Sequence, residues 1–84
     1  MKYLNQVVYI DSGSFKNRPN KSPYVFIYKF KQREDELIEI SLIDLKGRKD
    51  FFTVNKFWMK TVKDFNPPEY MRKEFIKIIF KELK

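Results

Sequence analysis

Apolar and polar positions alternate through the first two thirds of the chain, then change period near residue 55. The alternation is clearest over residues 24–31. Tyr24, Phe26, Tyr28 and Phe30 share one face, and Val25, Ile27, Lys29 and Lys31 share the other, the two-residue period of a strand. Residues 6–11 are β-branched and aromatic and end at Asp11-Ser12-Gly13-Ser14, which reads as a first strand and its turn. Residues 36–45 place Ile38, Ile40 and Leu42 opposite Glu39 and Ser41, and residues 49–54 return after the Gly-containing turn Lys46-Gly47-Arg48. These links are too short for parallel crossovers, so the four strands run antiparallel.

Beyond residue 55 the period becomes helical. Over residues 56–65, Phe57, Trp58, Met59, Val62 and Phe65 gather on one side and Lys56, Lys60, Lys63 and Asp64 on the other. This predicts a short helix capped by Thr53 or Asn55. Asn66-Pro67-Pro68-Glu69 then has the form of a cap, a first-turn proline and a capping-box carboxylate. The helix it opens, over residues 67–83, carries Met71, Phe75, Ile76, Ile78, Ile79 and Leu83 on its apolar arc, with Lys73, Lys77, Lys81 and Lys84 on the far side.

The predicted fold is one α+β domain over residues 1–84: a four-stranded antiparallel meander with two C-terminal helices packed on one face. Unpaired lysines are costlier to bury than tyrosines. The aromatic row therefore faces the helices, with Trp58, Phe75 and Ile79 against Phe26 and Ile40. Lys29 and Lys31 stay on the open face, beside Glu39 and Ser41. The order of antiparallel strands followed by helix resembles small single-strand-binding coactivator-like domains in layout alone, with two helices in place of one.

Composition narrows the chemistry. Eighty-four residues with eighteen Lys and Arg, eleven Asp and Glu, and neither Cys nor His carry a net charge of +7. Disulfides and Cys/His zinc sites are excluded, and so are the two side chains most used for proton transfer and nucleophilic attack near neutral pH. Fifteen aromatics supply the core instead. No Gly-rich phosphate loop or nucleophile elbow occurs. Asp11 with Ser12 and Ser14, and Glu34-Asp35-Glu36, sit where turns favour those residues, so an enzyme is not expected. No secretory signal or membrane span is legible, and no cofactor or metal is called for.

Positive charge points to a polyanionic partner. Fourteen of the eighteen cations are Lys, and the chain is also rich in Ile, Phe, Asn and Tyr. All five have A/T-rich codons, which is a second source of basicity. Residues 14–33 hold six basic groups and no acid, residues 34–45 five acids and no base, and residues 46–64 six basic groups and two acids. Two basic turns belong at one end of the sheet. The expected phosphate contacts are Lys16, Arg18 and Lys21 in the first, and Lys46, Arg48 and Lys49 in the second. This reads as a small cytoplasmic nucleic-acid-binding or regulatory module, favouring single strands. The alternative is a protein-interaction module, an inhibitor or adaptor of phage or mobile-element type. It would dock on an acidic protein surface, or pair with a partner or second copy through a sheet edge at residues 7–11 or 51–54. Oligomeric state is not legible in the sequence.

Overall fold

The computed structural model describes residues 3–11 and 22–83. Five strands make one antiparallel sheet: β1 (Gln6–Ile10), β2 (Tyr24–Gln32), β3 (Leu37–Asp44), β4 (Lys49–Asn55) and β5 (Val62–Lys63), in the order β4-β3-β2-β1-β5. A 3-10 segment, Lys56–Thr61, precedes β5, and the helix α1 spans Glu69–Glu82. The four expected strands are present to within a residue or so. The fifth was not expected.

Register assigns side chains to faces, since residues directly opposite each other point the same way. Val8, Val25 and Asp44 line up across three strands, as do Ile27 with Leu42 and Ile40 with Phe52. On this face Val8, Ile10, Val25, Ile27, Ile38, Ile40, Leu42 and Val62 form a buried cluster, with Tyr3, Trp58 and Met59 packed against it. The opposite face carries Val7 against Phe26 and Phe26 against Ile43. There α1 contributes its buried Met71 and Phe75.

The sheet is therefore covered on both faces, contrary to the expectation of helices on one face only. Trp58 packs on the cluster that includes Ile40 on one side, while Phe75 and Ile79 line a groove with Phe26 on the other. The chain achieves this by circling the sheet. After β4 it passes beneath the first face as the 3-10 segment and pairs at the far edge as β5, Tyr9 with Lys63 and Ile10 with Val62. It then returns over the second face as α1. A 3-10 helix rises about 2.0 Å per residue against 1.5 Å for an α-helix, which suits a short segment that must reach from one edge toward the other. Asn55 caps it, its Oδ1 accepting from the Phe57 N–H at 2.9 Å.

A β-bulge settles the face of β2. Its register to β3 shifts between Ile27 and Lys29, so one extra residue reverses the alternation. Val25 and Ile27 are fully buried, whereas Lys29 and Lys31 emerge exposed on the α1 side. Phe30 leaves the aromatic row and joins the opposite core. The bulge resolves a conflict that strict alternation could not: two buried aliphatics and two lysines on one face.

α1 begins two residues later than expected. Its N-cap is Pro68, with ψ 161° and no side-chain cap, rather than Asn66. A residue that precedes proline is disfavoured in the helical region, so Pro67 stays extended ahead of Pro68. The Pro67 carbonyl instead accepts from Arg72 Nη1 at 2.7 Å. At the other end, Lys49 Nζ donates to the Glu82 carbonyl at 2.8 Å, a cation on helix-terminal acceptors. This contact ties the end of α1 to the β3–β4 turn.

Candidate binding surface

The β3–β4 turn is built around Asp44, which is fully buried. Its Oδ1 accepts from the backbone N–H groups of Lys46 and Arg48, each at 2.9 Å, and its Oδ2 from Arg48 Nε at 2.7 Å. Gly47, with φ +77°, supplies the left-handed step. An Asp followed three residues later by Gly is a turn signature in the sequence, and it marks Asp44 as the organiser of this corner.

This geometry gives the expected phosphate ligands different roles. Arg48 neutralises the buried Asp44 carboxylate, and Lys49 holds the end of α1. Lys46 is exposed. Lys16, Arg18 and Lys21 lie outside the described residues. Val25 at the start of β2 pairs with Asp44 at the end of β3, beside the turn that carries Lys46.

A second cationic surface lies on the sheet itself, around the lysines expected on its open face. On the α1 side, Lys29, Ser41 and Phe51 line up across β2, β3 and β4, and Lys31, Glu39 and Thr53 form the next row. The end of α1 lies beside the β3–β4 turn, where Lys49 reaches the Glu82 carbonyl, and of these two rows Ser41 is buried. Lys29, Lys31 and Thr53 are exposed, and Phe51 keeps 60% of its surface accessible. Arg33 reaches Glu39, Nε to Oε1 at 3.3 Å, so the one carboxylate of these rows already has a cation. The signal in the sequence was the mismatch of Val25 and Ile27 with Lys29 and Lys31 on one nominal face.

Where α1 meets β1 and β2, a groove of about 290 Å³ lies between Val7 and Phe26 on the sheet and Phe75, Ile76 and Ile79 on the helix, with Arg72 on its wall. Lys29 shares the sheet face of Phe26 but does not line this groove. Ile76 is 53% exposed at its margin. The open face thus combines a sheet floor, a helix wall, accessible lysines and accessible apolar side chains.

The carboxylates considered for acid–base work do not converge. Glu34, Asp35 and Glu36 are exposed in the β2–β3 turn, where Gln32 Nε2 donates to the carbonyls of Glu34 and Asp35 at 2.7 and 2.9 Å. Asp11 is exposed beyond β1, and Ser12 and Ser14 lie outside the described residues. Among the described residues no group of three or more acidic, His or Cys side chains is placed to hold a metal ion. None of the described helices is long and apolar enough to cross a membrane. Compared with protein-family models, curated proteins and solved structures, the chain matches none.

Proposed function

We propose that this chain is a non-enzymatic binding module for single-stranded nucleic acid, and that its contact surface is the open part of the α1-bearing sheet face. One observation carries this reading: exposed Lys29 stands in the same cross-strand row as exposed Phe51, on either side of buried Ser41, with exposed Lys31 in the next row of the same face. Lysines on a sheet supply phosphate contacts, and an accessible aromatic ring supplies a stacking platform for an unpaired base. Of the charged groups in these rows, Glu39 is the one acid and is already engaged by Arg33, so the surface potential is positive. Lys46 extends the positive charge to the end of the sheet. Arg48 and Lys49, committed to the turn and to α1, are not the principal ligands.

Fluorescence anisotropy with a labelled single-stranded oligonucleotide, at about 50 and 200 mM salt, tests this. Lys29→Gln with Lys31→Gln should weaken binding and flatten the slope of log K against log salt by about 1.4, at roughly 0.7 for each phosphate contact on a single strand. Phe51→Ala should weaken binding by about 1–3 kcal/mol, the worth of one stacked base, with the slope unchanged. Wild-type protein with no oligonucleotide binding at low salt would refute the reading. It would leave an acidic protein surface as the partner of these lysines.

A further inference from the structure

The two edges of the sheet are unequal. At one edge stands β5, two residues long and paired with Tyr9 and Ile10; of the edge that the sequence suggested at residues 7–11, it covers the far end and does not reach Val7 and Val8. At the other stands β4, seven residues long, in unbroken register with β3 from Leu37 against Asn55 to Ile43 against Lys49. Exposed edges are ordinarily blunted by shortness, proline, bulges or outward charge. β5 is blunted by length. β4 has no proline and no bulge; its charges are Lys49 and Asp50 at its start, and Lys49 is drawn onto the end of α1.

The direction of its backbone groups follows from two bonds. The Asp44 N–H donates to the Arg48 carbonyl at 3.1 Å, and the Lys56 N–H to the Glu36 carbonyl at 2.7 Å. In an antiparallel ladder hydrogen-bonded pairs alternate with non-bonded ones. The even-numbered residues of β4 therefore bond to β3. The N–H and C=O groups of Lys49, Phe51 and Thr53 point outward, away from every described strand, and the strand ends at Asn55, which caps the 3-10 segment.

We infer that β4 pairs antiparallel with β4 of a second copy, making a continuous ten-stranded sheet across a two-fold axis at Phe52. This is the register that matches the whole strand to itself. Lys49 then faces Asn55 of the second copy, Asp50 faces its Val54, Phe51 its Thr53, and Phe52 its Phe52. No like charges are opposed. Apolar Phe52 and Val54 extend the inner core across the junction, and Phe51 and Thr53 stay on the α1 side. Residues paired across an antiparallel junction share a face, so both copies present Lys29, Lys31 and Phe51 on the same side. Five inter-strand steps separate β2 of one copy from β2 of the other, about 24 Å at 4.7–4.9 Å per step. The dimer doubles the proposed binding surface without covering it.

Sedimentation velocity over a concentration series tests this without any nucleic acid, so its outcome is independent of the proposed function. Wild-type protein should rise to twice the chain mass. Thr53→Pro removes an outward N–H that β3 does not use, and Phe51→Lys sets two like charges on a diagonal about 7–8 Å apart. Both should remain at single-chain mass where the wild type is dimeric, while Lys29→Gln should still dimerise. Hydrogen exchange supplies a second readout: in the wild type the Phe51 and Thr53 amides should be slowed as concentration rises, and in the two variants they should not. Single-chain mass for the wild type up to its solubility limit, or a dimer that survives both substitutions, would overturn the inference. A heterologous strand as the natural occupant of this edge would give the first of these results.

Discussion

Arg48 and Lys46 flank the same glycine and carry the same charge, yet replacing them should have very different consequences. Arg48→Met keeps most of the aliphatic stem and removes the guanidinium. Asp44 is left fully buried, with Oδ1 still bonded to two backbone N–H groups and Oδ2 stripped of its 2.7 Å partner. Removing one member of a wholly buried pair costs about 3–5 kcal/mol. Here the Arg48 side chain is 35% exposed and half of the carboxylate stays satisfied. One lost hydrogen bond to a charged group, about 1.5–3 kcal/mol, is therefore the better estimate. Lys46→Met, at an exposed position, should change stability by about 0.5 kcal/mol or less. Urea unfolding followed by the fluorescence of Trp58, which packs on the core, measures both variants. With an m-value of about 1 kcal/mol/M for so small a chain, a loss of about 2 kcal/mol lowers the midpoint by about 2 M. Equal midpoints for the two variants would refute the structural role given to Arg48.

Two further substitutions test the remaining joints of the fold. Phe75→Ala should destabilise by about 3–5 kcal/mol, because Phe75 is 1% exposed and is one of the two buried anchors of α1; an unchanged melting temperature would show that α1 does not dock on Phe26 and Val7. Gly47→Ala should cost about 1–2 kcal/mol from its positive φ alone. The added Cβ would meet the Glu82 side chain at an ordinary 3.7 Å, so a larger loss in urea unfolding would point to a clash the structure does not contain.

Local pattern was sufficient for β1 through β4, for the hairpin turn at Gly47 and for the amphipathic helix over residues 69–82, because a period of two or 3.6 and the chemistry of Gly and Pro act on neighbours in the chain. Asn55 was legible as one of two candidate caps beside Thr53, and the 3-10 segment Lys56–Thr61 took the place of the helix expected over residues 56–65. Which face each side chain joined was not legible. One extra residue at the bulge near Tyr28 sent Lys29 and Lys31 to the side opposite Val25 and Ile27, and burial of those two aliphatics against Ile40, Leu42 and Trp58 is a contact between distant segments. Val62 and Lys63 became a strand because β1 offered an unpaired edge where the crossing segment arrived. The second basic turn lost Arg48 to Asp44 because a carboxylate buried by the β2–β3 pairing needs a cation. Hydrophobic periodicity determined the elements and their order. The desolvation of particular groups, Asp44 and the two lysines above all, decided in three dimensions which cations stayed exposed and which were drawn into the fold.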